Sequence, residues 1–364
     1  MRKLYLIMSS FILSAGAYAQ SAVLEEEFSV INPLDSTELH GTLSMPSGMK
    51  PKAVIVMATG SGLQDRDETI GHHKPFREIA SYLASNGYAV ARTDDRGYGD
   101  PIDTLLVKRS SMWDELADYR SVMESMHNRK GFERLPVGML GHSQGGSEAI
   151  ASFSASSKVR TYNEVGRTPD FIITLAAPAV AGDSIILDQT RQILRLQGAE
   201  YAYDMYKDML SKRYSWAKSY MPEGSLRAAL LEDIKSTMPP GTVINKEMQA
   251  IIDEQIDGFC SPAYREMLRY SPAQDITNVN VPWLALYGSK DVQVSVPLNS
   301  DALKSATEGK DNVTVTVLVD KNHLFQNAVT GAIEEYQTIN GAISDDVLQE
   351  ILEWLEINFN KKNK

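Results

Sequence analysis

Short apolar runs recur along the chain, and polar residues rarely interrupt them. The runs are AVIVMA (53–58), YAVART (88–93), LPVGMLG (135–141), FIITLA (171–176) and WLALYG (283–288). Strands that are apolar on both faces are typical of a parallel sheet that helices cover on each side. Segments of helical pattern, such as PFREIASYLASNG (75–87), separate them. The pattern therefore predicts an α/β fold with a mostly parallel central sheet and helices on both faces.

Further elements are indicated near both ends of the chain. EEFSVI (25–30) and ELHGTLSM (38–45) flank a turn-rich segment and predict an antiparallel hairpin. VTVTVLV (313–319) predicts a late strand. Residues 344–357 have the period of an amphipathic helix, with Ser344 in a position to cap it.

The alternation of strands and helices stops between residues 182 and 270. No strand pattern appears there, whereas apolar residues such as Leu226 and Leu230 recur at helical spacing. We interpret 182–270 as a helical cap, or lid, inserted into the fold. Residues 20–181 and 271–364 then form the core domain, which is long enough for one large hydrophobic core.

Residues 1–19 have the parts of a secretory signal peptide. Arg2 and Lys3 supply positive charge, an apolar stretch follows, and small residues form a cleavage site that ends at Ala19. The apolar stretch is shorter than the ~20 residues that a membrane-spanning helix needs, which disfavours an anchor. We therefore expect export, to the periplasm or the medium, without stable membrane insertion.

Composition narrows the range of partners. The chain has 36 basic and 47 acidic residues, a formal net charge of −11, so we expect no binding to nucleic acid. Cys260 is the only cysteine, which rules out an intramolecular disulfide. His72 and His73 are adjacent and suit a loop better than convergent metal ligands, and we predict neither a metal nor a cofactor. Nothing in the sequence indicates the oligomeric state.

The segment MLGHSQGGSEAI (139–150) carries the candidate chemistry. It contains the pattern G-x-S-x-G, with Ser143 between Gly141 and Gly145, and it joins a predicted strand to a small-residue helix. A serine on such a sharp turn is exposed, and larger side chains at the two glycine positions would collide with neighbouring backbone. We predict that Ser143 is a nucleophile and that the helix N-terminus favours a nearby oxyanion.

A serine hydroxyl needs a base to take its proton and an acid to orient that base. His323 lies in a loop after the late strand, where the base follows nucleophile and acid in the chain. Asp291 directly follows the WLALYG strand and is the predicted acid, with Asp320 as its rival. His142 adjoins the serine, and we expect its side chain to point away from the site.

Two backbone N–H groups are expected to bind the oxyanion. One is that of Gln144, the residue after the nucleophile. The other comes from the loop TGSGLQDRDE (59–68), where Ser61 or Gly62 is the candidate donor.

Together these segments make the sequence resemble the serine α/β-hydrolases of the bacterial exported esterase type. The resembling segments are TGSGLQDRDE, HKPFREIASYLASNGYAVARTDDRGYGD, MLGHSQGG, SPAYREMLRYSPAQDITNVNVPWLALYGSKDVQV and NHLFQNAVTG. The resemblance covers most of the chain from about residue 24. It implies the α/β-hydrolase fold, a catalytic triad of Ser143, Asp291 and His323, and a cap over the pocket.

The sequence departs from the family pattern at two positions. Thr59 stands where many relatives have histidine, which leaves the second oxyanion donor open between Ser61 and Gly62. Gln144 stands where glutamate is frequent, but the donor there is a backbone group. Some relatives use a cysteine nucleophile on acyl-CoA thioesters, and Ser143 argues against that chemistry.

Two other clusters of residues have alternative interpretations. Asp65, Arg66 and Asp67, with Asp95 and Arg96, are interpreted as a salt-bridge network that fixes two loops, rather than as substrate contacts. The segment 201–221 is rich in Tyr, Trp and Met. Its residues line a substrate pocket or fill the core of the cap.

The leading functional hypothesis is an exported hydrolase that cleaves carboxylic esters through an acyl-enzyme on Ser143. Its substrate would be a small-molecule or glycan-linked ester. The alternatives are an amide, peptide or thioester hydrolase with the same site, or a binding module without catalysis. The sequence does not identify the acyl and alcohol groups, because a fold does not fix a substrate.

Overall fold

Residues 22–156 and 160–360 are described by the computed structural model, so the predicted signal peptide lies outside them. Eight strands form one sheet in the order β1-β2-β4-β3-β5-β6-β7-β8. They are β1 (Val23–Ile31), β2 (Glu38–Pro46), β3 (Val54–Ala58), β4 (Ala89–Thr93), β5 (Val137–His142), β6 (Ile172–Leu175), β7 (Trp283–Gly288) and β8 (Val313–Leu318). The N-terminal hairpin β1–β2 is antiparallel and joins antiparallel to β4, and the other neighbouring strands are parallel.

Helices connect the strands. They are α1 (Pro75–Ser85), α2 (Thr104–Arg109), α3 (Met112–His127), α4 (Gln144–Ala151), α5 (Arg160–Asn163), α6 (Gly182–Leu196), α7 (Tyr203–Lys218), α8 (Glu223–Ser236), α9 (Lys246–Cys260), α10 (Pro262–Arg269), α11 (Ala273–Asn278), α12 (Val296–Ala306) and α13 (Asp345–Phe359). Two short 3₁₀ helices span Glu200–Ala202 and Ile333–Glu335.

The central strands explain the apolar runs. Every residue of β3, β4, β5, β6 and β7 is buried. Successive side chains of a strand point to opposite faces, so burial of every residue requires helices on both faces of the sheet. The predicted fold class, a mostly parallel sheet between helical layers, is confirmed.

Five helices, α6 to α10, lie between β6 and β7 and pack around a small hydrophobic core of their own. The buried members of this cap core are Tyr214, Ala217, Leu226, Leu230, Ile234, Ile252, Ile256, Phe259, Cys260 and Leu268. The helical spacing of Leu226 and Leu230 therefore reflects burial inside the cap. The division into core and cap at residues 182 and 270 stays an interpretation.

The first and last residues of the cap meet at one point. The N–H of Gly182 donates to the carbonyl oxygen of Tyr270 at 3.2 Å. A Cβ on Gly182 would come 2.0 Å from the carbonyl oxygen of Met267, so only glycine fits here. Within the cap, the guanidinium of Arg265 donates to the carbonyl oxygens of Ser219 and Met221 at 2.8 and 3.0 Å.

The charged cluster singled out in the sequence forms ion pairs within the core domain. Arg66 pairs with Asp94 at 2.6 Å, and Arg96 pairs with Asp118 at 2.7 Å. Asp65 accepts from the Thr69 hydroxyl at 2.6 Å. These contacts fix the loop after β3 to the loop after β4, in agreement with a structural role.

Asp67 and Asp95 belong to the same network. Asp67 pairs with Arg92 and Lys74, and Asp95 accepts from the Thr59 hydroxyl at 2.6 Å. Within 22–156 and 160–360, no helix has both the length and the hydropathy that crossing a membrane requires.

Two adjacent isoleucines on α9 test the cap core. Ile252 is 4% exposed in the cap core, whereas Ile251 is 66% exposed. We expect Ile252→Ala to lower the free energy of unfolding by about 2–5 kcal/mol, since it removes buried methyl groups and leaves a cavity. Ile251→Ala should change it by less than about 0.5 kcal/mol. Denaturant unfolding of both variants measures this, and equal effects would contradict a packed cap.

Candidate active site

Ser143 lies on a strained turn between β5 and α4. Its φ and ψ are 52° and −114°, a conformation that residues with a side chain rarely adopt. The N–H of Ser143 donates to the carbonyl oxygen of Leu175 at 2.8 Å, and its own carbonyl oxygen accepts from Gly146 at 3.0 Å. The turn is thus held by the neighbouring strand β6 on one side and by the first turn of α4 on the other.

The flanking glycines allow the helix to approach the sheet. A Cβ on Gly141 would come 2.1 Å from the carbonyl oxygen of Gly145. A Cβ on Gly145 would come 2.2 Å from the carbonyl oxygen of Ala58, at the end of β3. Real Cβ atoms do not approach backbone so closely, so the G-x-S-x-G spacing has the steric cause that the sequence indicated.

Asp291 and His323 come together from the loops that follow β7 and β8. The Nδ1 atom of His323 lies 2.8 Å from Oδ2 of Asp291. The other oxygen of Asp291 accepts from the N–H groups of Gln293 and Val294 at 2.8 and 2.9 Å. Both side chains are buried, at 5% exposure each. This arrangement orients the imidazole and holds the aspartate as an acceptor.

Asp320, the alternative acid, points elsewhere. Its carboxylate lies 3.0 Å from Nζ of Lys290, and its side chain is 60% exposed. Its φ of 57° places it at a sharp bend at the start of the histidine loop. Asp291, and not Asp320, is therefore the partner of the His323 ring.

The predicted oxyanion donors share one cavity with the serine. Gln144 is the first residue of α4, so its N–H has no acceptor within the helix. Ser61 and Gly62, from the loop after β3, line the same cavity as Ser143 and Gln144. The structure thus brings together the four residues on which an oxyanion site was predicted.

This cavity has a volume of about 370 Å³ and lies between the core domain and the cap. Its apolar lining comes from both parts of the chain, including Met112, Pro178, Val294, Ile185, Ile186 and Met267. Among the described residues that line it, none is Asp, Glu, Lys, Arg or His. The space in front of the serine is therefore neutral and mostly apolar.

The aromatic segment 201–221 contributes no residue to this lining. Tyr214 is buried in the cap core at 2% exposure, whereas Tyr201 is 89% exposed. The tyrosines of the cavity are Tyr264 and Tyr270, at the opposite end of the cap. Of the two alternatives for 201–221, filling the core of the cap agrees with the structure.

Two buried glutamates lie behind the elbow, and the sequence had not indicated them. The Gln144 side-chain amide donates to Glu115 at 2.6 Å and to Glu148 at 3.1 Å. Burial raises the pKa of Glu115 to about 7. Burial and the charge of Glu115 raise the pKa of Glu148 well above its usual range. A carboxyl pair of this kind retains a proton near neutrality and fixes the Gln144 side chain.

The expectation for His142 was wrong. Its ring packs against that of His323, with ring centres 4.7 Å apart. Its two nitrogens contact Glu68 and the backbone of His323. Nothing local in the sequence indicates this, because the two partners are 74 and 181 residues away. No group of three or more potential metal ligands occurs in the part of the chain that the structure describes.

Comparison with known proteins agrees with this geometry. The sequence model of the family described as "Serine aminopeptidase, S33" matches residues 50–198. The esterase EstD of Thermotoga maritima is 25% identical over 341 residues, which cover 93% of this chain and 69% of that protein. The chain belongs to the serine α/β-hydrolases.

Solved structures of this hydrolase fold superpose on the chain. Esterase Pf2001 of Pyrococcus furiosus has a TM-score of 0.51 at 13% identity, over 92% of this chain and 93% of its own. The acylaminoacyl peptidase of Pyrococcus horikoshii has a TM-score of 0.53 at 14% identity, over 93% of this chain but 42% of its own. At this identity the likeness shows the fold. With the family match and the relative, it makes this serine α/β-hydrolase an enzyme of hydrolysis.

Proposed function

We propose that this hydrolase cleaves uncharged carboxylic esters through an acyl-enzyme on Ser143, with Asp291 and His323 completing the triad. The observation that carries this proposal is the neutral lining of the cavity in front of the serine. A named esterase relative that aligns with 93% of the chain also supports it.

In the proposed reaction, His323 accepts the proton of the Ser143 hydroxyl as its oxygen attacks the ester carbonyl carbon. The carbonyl π electrons move onto oxygen, and the N–H of Gln144 with that of Ser61 or Gly62 binds the oxyanion. His323 then returns the proton to the departing alcohol. Water attacks the acyl-enzyme in the same way and releases the acid. Asp291 keeps the His323 ring oriented throughout.

The neutral lining also bears on the aminopeptidase alternative, which the family description raises. An aminopeptidase substrate carries an α-ammonium group next to the bond that is cut. Burying that charge without a carboxylate partner is strongly unfavourable. Among the described residues around this cavity none is acidic, so an ester with an uncharged acyl group fits it better.

The same cavity argues for a small acyl group, and against the remaining alternatives. Its volume of about 370 Å³ is at the lower end of ligand sites. A short apolar acyl chain fills it, while a small alcohol or a glycan can remain outside. A binding module would not need the strained backbone of Ser143, and a serine in place of cysteine disfavours thioesters.

Replacing the nucleophile tests the proposed activity. The wild-type protein should release p-nitrophenol from acetate and butyrate esters, and Ser143→Ala should lower kcat/KM by about 10⁴-fold or more. Aminoacyl p-nitroanilides should be poor substrates. Fluorophosphonate labelling of Ser143 in the folded protein is the control for an accessible nucleophile. Ester turnover that survives in Ser143→Ala, or a preference for the anilides, would refute the proposal.

A glycine of α9 tests whether the cavity receives the acyl group. Gly258 lines the cavity, and a Cβ there would meet no atom within 4 Å, so a larger side chain has room to extend. We expect Gly258→Phe to lower the ratio of kcat/KM for octanoate to that for acetate at least about tenfold. Gly258→Ala is the matched control and should keep the wild-type ratio. Equal ratios in both variants would place the acyl group elsewhere.

We also propose that the chain is exported and cleaved after Ala19, on the basis of the charged, apolar and small-residue segments of 1–19. The expected mature protein begins at Gln20 and is recovered from the periplasm or the medium. N-terminal sequencing of the fractionated protein measures this. An uncleaved chain in the cytoplasm would contradict it.

A further inference from the structure

The Glu68 carboxylate connects the loop after β3 to the nucleophile turn. Glu68 is 2% exposed and has a φ of 51°. Its Oε1 atom accepts from the N–H of Gly60 at 2.6 Å and lies 2.8 Å from Nδ1 of His142. A Cβ on Gly60 would come 3.0 Å from the same oxygen, so a glycine gives the carboxylate its place. One oxygen thus holds the oxyanion loop and the residue before Ser143.

His142 continues this connection to the base. Its Nε2 atom lies 3.0 Å from the carbonyl oxygen of His323. A carbonyl oxygen can only accept, and an ionised carboxylate can only accept as well. Both nitrogens of His142 must therefore carry a proton if both contacts are hydrogen bonds. That makes the ring an imidazolium, and Glu68 supplies the counter-charge.

We propose that Glu68 and His142 form a buried carboxylate–imidazolium pair that positions His323 and keeps its side chain neutral. The proposal rests on the proposed role of His323 as the base. Neither residue touches the reacting atoms, so both are positioning residues. The pair ties together the loops that follow β3, β5 and β8, which carry the oxyanion donors, the nucleophile and the base.

The neutralising effect follows from the placement of the charges. The cationic ring packs directly on His323, with centres 4.7 Å apart, while Glu68 contacts the other nitrogen, Nδ1, of His142. A second positive charge on His323 would therefore be repelled. Asp291 is the opposing charge on His323, and it also favours the cationic form of His142.

The surroundings of the pair favour its charged state only through Glu68 and Asp291. Burial alone lowers the pKa of His142, but the charge of Glu68 and its hydrogen bond outweigh burial, so the pKa is raised. The other side chains around the pair are apolar. They are Pro75, Phe76, Ile79, Leu175, Leu324 and Phe325.

Neutral variants of the pair test this inference. Glu68→Gln and His142→Gln should each remove the positive charge next to His323. The acid limb of the pH profile of kcat/KM, measured with p-nitrophenyl acetate, should then move to higher pH by on the order of one unit. At pH 6 we expect kcat to fall about tenfold, with KM changed much less.

His73→Gln is the matched control. His73 is another buried histidine, 4% exposed, whose Nε2 lies 2.8 Å from the carbonyl oxygen of Tyr336 and not from His323. It should leave the acid limb unchanged. A purely structural role of Glu68 or His142 would lower activity equally at every pH, and that result would overturn the proposal.

A spectroscopic measurement on the wild-type protein does not depend on the stability of the variants. With ¹⁵N-labelled histidine, His142 should show two protonated ring nitrogens at pH 7. A neutral His142 at pH 7 would overturn the proposal even if the protein were a fully active esterase. Conversely, loss of ester turnover in the wild type would refute the proposed function, while a cationic His142 would still stand.

Discussion

The close approach of α4 to the sheet is the constraint on which the site depends. Gly145 lies against the carbonyl group at the end of β3, and Gly141 lies against Gly145. At this distance the connection between β5 and α4 has to turn sharply, and Ser143 takes a backbone conformation with positive φ. The turn raises the serine above the carboxyl ends of the strands. The loops after β3, β7 and β8 end at this same edge, so the other site residues meet the serine there.

The distribution of charge around the serine is strongly asymmetric. Behind the elbow lie the carboxyl groups of Glu115 and Glu148, and beside it lies the pair of Glu68 and His142. In front of it the described lining of the cavity is neutral. Buried charges in the scaffold are compensated by hydrogen bonds or by partners, whereas a charged substrate group in the cavity would find no such partner. The scaffold is therefore polar where it holds the catalytic loops and apolar where the substrate would lie.

The sequence predicts those features whose cause is local. Apolar runs identify β3 to β7 because each is buried on both faces, and the two elbow glycines identify a steric requirement within five residues. The acid and base follow from the order of strands along the chain. Glu68 and His142 could not be predicted, since their partners are brought close only by the sheet. The same reason explains why the cavity is lined by Tyr264 and Tyr270 and not by the aromatic segment 201–221.

The cap leaves and rejoins the core at neighbouring residues, Gly182 and Tyr270, which share a hydrogen bond. The two core segments on either side of it therefore already have their ends together. The core loses little chain entropy when it accommodates an insertion at this point, because closing a longer loop adds only slowly to that loss. A different set of helices joined at these two residues would face the same serine. Exchange of the cap is thus a route by which this scaffold changes its substrate without rebuilding the residues that carry out the reaction.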